Sequence, residues 1–296
     1  PEIDTIIVPI GGGGLISGIA YAVKSIKTVH IAKEDMEDLM REVEIISSLK
    51  TYDEYTQSTP TFFPHVIQWS NYADAFKAAN LQVLFLNTLY VGIISTLLSL
   101  VITVLCAFAF ARLDFKGRDA MFAFLLATMM IPGELFTITN YSTVVVTFKW
   151  GETFTALIVP FLVSVFYIYL LRQNFKQIPN ELYLSAKVDG KSDIQYLLKV
   201  MIPLALPSLI SITILKMMGA WNSYIWPRLV ANKGDVHKLI TNGLRGASFY
   251  LDGDSSKTNY PAQMAAVVLV SIPLFLVFIF LRKYIMKGVS RSGIKG

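Results

Sequence analysis

The sequence predicts an all-α, polytopic transmembrane bundle of about five spans, and three observations carry that expectation. Apolar residues make up 54% of the chain and charged residues only 16%, where a soluble domain carries about a quarter charged. Mostly apolar runs long enough to cross a bilayer recur five times, three of them free of charge and two carrying a single charged residue, and mean hydropathy is +0.53. Lysine and arginine gather in alternate loops between those runs, the asymmetry that orients helices in a membrane.

A span needs roughly 20 mostly apolar residues. The first is expected at about 84–110, inside the charge-free stretch between Lys77 and Arg112. The second, about 120–147, lies between Asp119 and Lys149 and is interrupted by Glu134. Pro132-Gly133 just before that glutamate suggests a broken helix, tolerated in a membrane where protein or water satisfies the freed backbone. The third is expected at 153–171, before Arg172; the fourth at 200–221, containing Lys216; the fifth at about 260–281, between Lys257 and Arg282. Pro160, Pro203, Pro207 and Pro273 read as kinks or span starts. The basic loops contain Arg112, Lys116 and Arg118, then Arg172, Lys176, Lys187, Lys191 and Lys199, then the tail from Arg282 to Lys295. They are placed in the cytoplasm, which puts 51–80 and 222–257 outside.

Other classes fall away. The net charge of +5 is spread over several loops, which argues for membrane orientation rather than nucleic-acid binding. A single cysteine, Cys106, excludes a disulfide within the chain. His30, His65 and His237 show no metal-ligand spacing, so no metal is expected. Three polar residues inside the runs are candidates for a pathway or for interhelical bonding. Glu134 either faces a water-filled cavity or is a paired carboxylate between helices. Lys216 either snorkels to the outer surface or lines a pathway. Asn87 is expected to hydrogen-bond between helices.

The segment from Glu181 to Pro203 is the most informative. It is charged, contains a tight turn, and lies between two runs of span length. Asn180 is a candidate cap for its first short helix, with Glu181 favourably placed in the first turn. Asp189-Gly190 ends that helix, glycine supplying the left-handed conformation a helix terminus often needs. Ser192-Asp193-Ile194-Gln195 fits a capping box. Ile194, Leu197, Leu198 and Met201 follow at helical spacing and predict one apolar face. On spacing alone, a solvated connector and a docking device are both open.

These residues resemble the "EAA" loop of bacterial ABC importer permeases. Leu184-Ser185-Ala186 falls on the Glu-Ala-Ala positions, Gly190 on the glycine, and Val200-Met201-Ile202-Pro203 on the closing Ile-x-Leu-Pro. Leu184 departs from the pattern, where an acidic residue is usual. The resemblance covers about 47–296. It includes Asn71-Tyr72, Ala107 to Leu113 with Phe115 to Asp119, Met130 to Glu134, Trp221 to Pro227 and the ending Gly288 to Gly296. In that order they are similar to the maltose/glycerol-phosphate type of carbohydrate permease. The resemblance implies a transport subunit for sugars or a related polyol or glycerol phosphate in a bacterial cytoplasmic membrane, without catalytic residues or a cofactor of its own. Its partners would be a second permease, two ATP-binding subunits that hold the ATP, and an extracytoplasmic sugar-binding protein. It implies a coupling role for the loop that includes Leu184, Ser185, Ala186, Asp189, Gly190, Ser192 and Pro203.

Residues 1–27 differ in character. A strand-like Ile6 to Ile10 leads into Gly11, Gly12, Gly13 and Gly14 and then a helix-like stretch, and this resembles the tetraglycine loop of threonine dehydratase-like pyridoxal-phosphate enzymes. A glycine run opening a helix can hold a phosphate, but the Schiff-base lysine and the surrounding domain are not present, so no cofactor binding is expected. Residues 28–46 read as a charged helical linker. The family's usual first span has no counterpart here, so the expected layout is a foreign segment (1–27), a linker (28–46) and a permease domain (47–296). A chimeric or truncated, transport-inactive permease is the alternative, and a pyridoxal-phosphate lyase fragment a remote one.

Overall fold

The computed structural model describes residues 43–290 apart from Pro60, Asp235, Asp252 and Gly253. The tetraglycine stretch and nearly all of the linker lie outside the described residues. The described chain divides into two compact units. One holds the residues up to Leu81 together with Ala247–Ile272, the other Gln82–Gly246 with Pro273 onward.

In the first unit the chain is helical over 43–48, then forms α1 (Tyr52–Thr56) and α2 (Ser70–Ala78). Buried Asn71 donates to the carbonyls of Ser48 and Lys50, at 2.9 and 2.8 Å. Glu54, only 5% exposed, accepts from the Thr61 hydroxyl at 2.6 Å and from the His65 N–H at 3.1 Å. These bonds, the Thr61 one foremost, hold its carboxyl below the usual range. Tyr55 stacks on Tyr260 with ring centroids 5.6 Å apart. A short antiparallel ribbon of β1 (Tyr250–Leu251) and β2 (Asp254–Thr258) is the only sheet among the described residues.

The second unit is built on α3 (Leu81–Arg112), apolar all round and the longest helix described. It packs through a stripe of buried small polar residues: Thr88, Ser95, Thr96, Ser99 and Thr103. Small residues at such spacing let helix backbones approach closely where hydrophobicity alone gives no drive to associate. α4 (Arg118–Thr128) follows. A 3-10 turn at Gly133–Phe136, α5 (Thr137–Tyr141) and a π-helical stretch at Ser142–Thr147 then continue at 84° to it. α6 (Phe154–Ile158) and a 3-10 turn at Val159–Phe161 meet α7 (Val165–Gln177) at 46°. α8 (Asn180–Val188) and α9 (Asp193–Tyr196) form the polar corner. A π turn at Leu197–Met201 and α10 (Ile202–Leu204) lead through a 79° bend into α11 (Leu206–Trp221). α12 (Ile225–Val230), α13 (Ile240–Gly246) and α14 (Tyr260–Ser290) complete the chain, the last belonging partly to each unit.

Among the described residues, two helices are long and apolar enough to cross a membrane, and up to five spans result if each bent pair counts as one. The run expected to end at 171 continues as helix to Gln177. Arg172 does not stop it, because its charge is absorbed inside the protein. Its Nε donates to the Phe110 carbonyl at 3.0 Å, and its guanidinium lies 3.8 Å from the Phe122 ring centroid. Arg112, in return, donates to the carbonyls of Phe175 (2.8 Å) and Ile178. Each arginine thus caps the C-terminal carbonyls of the other's helix, where a cation also meets the negative end of the helix dipole.

Candidate coupling site

The corner between α8 and α9 is built from its turn chemistry. Gly190 adopts φ +73°, in the left-handed region. The Lys191 N–H reaches the Ala186 carbonyl at 2.9 Å and the Gly190 N–H reaches that of Lys187 at 3.0 Å. This pair is a Schellman motif, which satisfies carbonyls that a helix end otherwise leaves unpaired. Two residues later the capping box forms. Ser192 Oγ accepts from the Gln195 N–H at 3.3 Å, and the Ser192 N–H donates to Gln195 Oε1 at 3.0 Å.

Side chains then clamp one helix to the other. The Tyr183 hydroxyl donates to Asp193 Oδ1 at 2.7 Å, and Lys187 Nζ lies 2.9 Å from the same oxygen. The hydrogen bond to Asp193 raises the Lys187 pKa. Asp189 pairs with Lys191 at 3.8 Å. Ala186 and Tyr196 turn inward, joining Leu197, Met201, Ala107, Phe175 and their neighbours in one core cluster. The corner is therefore bonded directly to α3 and α7 rather than hanging from them.

The outward side carries Leu184 (55% exposed), Val188 (88%), Ile194 (52%) and Leu198 (58%). Ser185, Asp189, Gly190 and Ser192 are also exposed, while Ala186 is buried. The apolar face expected for Ile194, Leu197, Leu198 and Met201 is split. Leu197 and Met201 enter the core with Tyr196, and Ile194 and Leu198 face out, because the two i,i+4 pairs lie on neighbouring edges of the helix and only one edge meets α3 and α7. Asn180 is not the cap. Pro179 occupies that position with ψ 138°, and Asn180 already has helical geometry. Pro203 sits exposed at the start of α10, just before the 79° bend.

The remaining candidates lie elsewhere. Asn87 donates to the carbonyls of Val236 and Lys238, at 2.8 and 3.0 Å, so it ties α3 to a loop backbone rather than to another helix. Glu134 is exposed in the 3-10 turn Gly133–Phe136. Lys216 donates to the Phe161 carbonyl at 2.6 Å and lines a cavity of about 370 Å³ between α3, α6, α7 and α11–α12. The reciprocal arginines and the buried small-residue stripe are what the sequence reading missed. The stripe was visible as Thr88, Ser95, Ser99 and Thr103 recurring at helical spacing.

Comparison with known proteins follows the same lines. Residues 99–291 match the family described as binding-protein-dependent transport system inner membrane component. The arabinooligosaccharides transport system permease protein AraQ of Halalkalibacterium halodurans is 30% identical over 239 residues, covering 80% of this chain and 83% of that one. The diacetylchitobiose uptake system permease protein NgcG of Streptomyces coelicolor is 28% identical over 254 residues, covering 84% and 81%. A crystal structure of a bacterial ABC transporter involved in the import of the acidic polysaccharide alginate shares the fold, with a TM-score of 0.73 at 22% identity over 94% of this chain and 99% of that one. The chain belongs to the inner-membrane components of binding-protein-dependent transport systems: it is a permease subunit of an ABC importer, a transport protein rather than an enzyme.

Proposed function

We propose that this permease subunit imports an oligosaccharide, and that the α8–α9 corner couples it to ATP hydrolysis on a separate chain. Residues 47–296 form the permease domain in this reading. A second permease, two ATP-binding subunits and an extracytoplasmic sugar-binding protein complete the transporter. The named sugar relatives support the substrate class. The observation that carries the coupling role is the construction of the corner. Its Schellman turn and capping box leave little freedom between the two short helices. Tyr196, Leu197 and Met201 then fix it into the core that also holds α3 and α7. A push on the exposed side of α8 reaches the spans without being absorbed by a flexible joint. Movement of the ATP-binding subunits would shift the corner, and the spans would alternate between outward- and inward-facing arrangements about the bend at Ala205.

The test is reconstitution of the chain with its partner subunits in liposomes. ATP-dependent accumulation of a labelled oligosaccharide, supplied with its binding protein, is expected. ATP-dependent uptake of amino acids or metal ions but of no sugar across a broad panel contradicts the substrate class.

A further inference from the structure

The cavity around Lys216 has a polar inventory that its structural role does not explain. It lies within the second unit, where α6 and α7 break apart at 162–164 and α11 passes alongside. Lys216 is five residues before the end of α11 at Trp221, about 7.5 Å along the helix axis. The distribution of basic loops places that end on the outer side, so the cavity lies in the outer half of the bundle. One Lys216 N–H bonds the Phe161 carbonyl freed by the break. An ammonium has three donors, and among the described residues no carboxylate lies within ion-pair distance of it. Capping one carbonyl does not call for a cation. A neutral amide would do that at lower cost, since a charge within a span costs about 2.5–3.5 kcal/mol on insertion scales.

The other polar groups on the lining point the same way. Ser164 precedes α7 without capping it through its side chain. The hydroxyls of Ser164, Tyr167 and Ser223 have no protein partner among the described residues, and all three residues line the cavity with Lys216. Trp226, whose Nε1 donates to the Ala156 carbonyl at 2.9 Å, and Phe161 meet edge to face with centroids 5.3 Å apart and supply an aromatic wall. The cavity therefore offers a cation with two spare donors, three unspent hydroxyls and two rings, and contains no lining carboxylate. Small-molecule sites share this make-up, mostly apolar with a few convergent polar groups.

We propose that this cavity is a substrate subsite for an anionic sugar unit, with Lys216 pairing the carboxylate and the three hydroxyls bonding its ring oxygens. The inference rests on the sugar-importer reading and narrows it to sugars that carry an acid group. The test uses the whole transporter in nanodiscs, with digalacturonate and the neutral disaccharide of the same length as probes, and thermal stabilisation as the readout. Digalacturonate is expected to stabilise the wild type and Lys216→Arg. Lys216→Met should weaken its apparent affinity roughly thirtyfold or more, the scale expected when one partner of a desolvated charge pair is removed. Binding of the neutral disaccharide should not change. Equal affinity of the wild type for acid and neutral probes overturns the proposal, and that comparison needs no variant. Unchanged acid binding in Lys216→Met or Lys216→Gln also overturns it. Discs of phosphatidylglycerol against phosphatidylcholine form the second arm. If the Lys216-dependent stabilisation follows the lipid and ignores the sugar acid, the anion is a headgroup and the substrate assignment fails. Failure here with ATP-driven sugar uptake intact leaves the importer reading standing, whereas loss of all sugar uptake by the wild type would overturn that reading instead.

Discussion

Gly190 is the position where a single methyl group tests the coupling corner. Its φ of +73° lies where L side chains rarely sit, yet a Cβ built there meets no atom within 4 Å. Substitution therefore costs backbone energy and almost nothing in packing. The left-handed conformation costs an ordinary residue about 1–2 kcal/mol, so Gly190→Ala should shift the local equilibrium of the turn by roughly tenfold, since 1.4 kcal/mol is a factor of ten. Gly190→Val should cost more, because a β-branched side chain tolerates positive φ least. Gly190→Asn should cost least, asparagine being enriched there. The penalty acts on one exposed turn, so folding and membrane insertion should survive while coupling degrades. In reconstituted transporter, the ratio of sugar transported to ATP hydrolysed should fall in the order glycine, asparagine, alanine, valine, with melting temperatures lowered by only several degrees. Equal coupling by glycine and valine, or a rank order that follows side-chain volume rather than left-handed tolerance, would refute the reasoning.

Further outcomes follow from the packing. A Cβ on Gly243 would collide with the side chain of Leu84, itself 3% exposed. Gly243→Ala should destabilise the second unit by about 1–3 kcal/mol, and Leu84→Ala in the same chain should recover part of the loss in a thermal unfolding assay. Arg172→Met should keep the bulk against Phe122 but leave the Phe110 carbonyl unpaired, costing about 1–3 kcal/mol; Arg172→Lys should recover only part of that, because an ammonium lacks the planar fork. Glu54 titrates below its unfolded value, so its stabilisation is complete above about pH 4.3 and disappears as pH falls through its folded pKa. Protection of 50–68 against proteolysis should accordingly be lost on acidification in the wild type and be less sensitive to pH in Glu54→Gln.

Much of the architecture was legible because the membrane imposes simple rules. Charge-free runs mark apolar helices, and Pro132-Gly133 marks the break between α4 and the 3-10 turn at Gly133–Phe136. Ser192 and Gln195 at capping-box spacing, and glycine after Asp189, specify a corner whose hydrogen bonds the structure contains. What was not legible depends on contacts between distant segments. Arg172 ends a run by its charge, yet α7 continues past it, because the Phe110 carbonyl and Phe122 ring that accept the guanidinium come from elsewhere in the chain. Asn180 follows a proline that takes the cap position itself. Ile194 and Leu198 share helical spacing with Leu197 and Met201, and only the contacts of Tyr196, Leu197 and Met201 with distant segments decide which edge of that face enters the core. The Lys216 cavity gathers side chains from four segments of the second unit, and no local pattern signals such a convergence.

The most direct measurement of the central claim is proximity between the corner and the ATP-binding subunit. Cys106 is replaced by serine, single cysteines are placed at Val188 and Ile194, and a cysteine series lines the cleft of the ATP-binding partner. The account predicts disulfide cross-links from both positions that change in yield when ATP is added and hydrolysed, and none from a cysteine at Phe63, in the segment that the distribution of basic loops assigns to the outer side. Cross-linking that is absent from Val188 and Ile194, or that labels Phe63 instead, would contradict it.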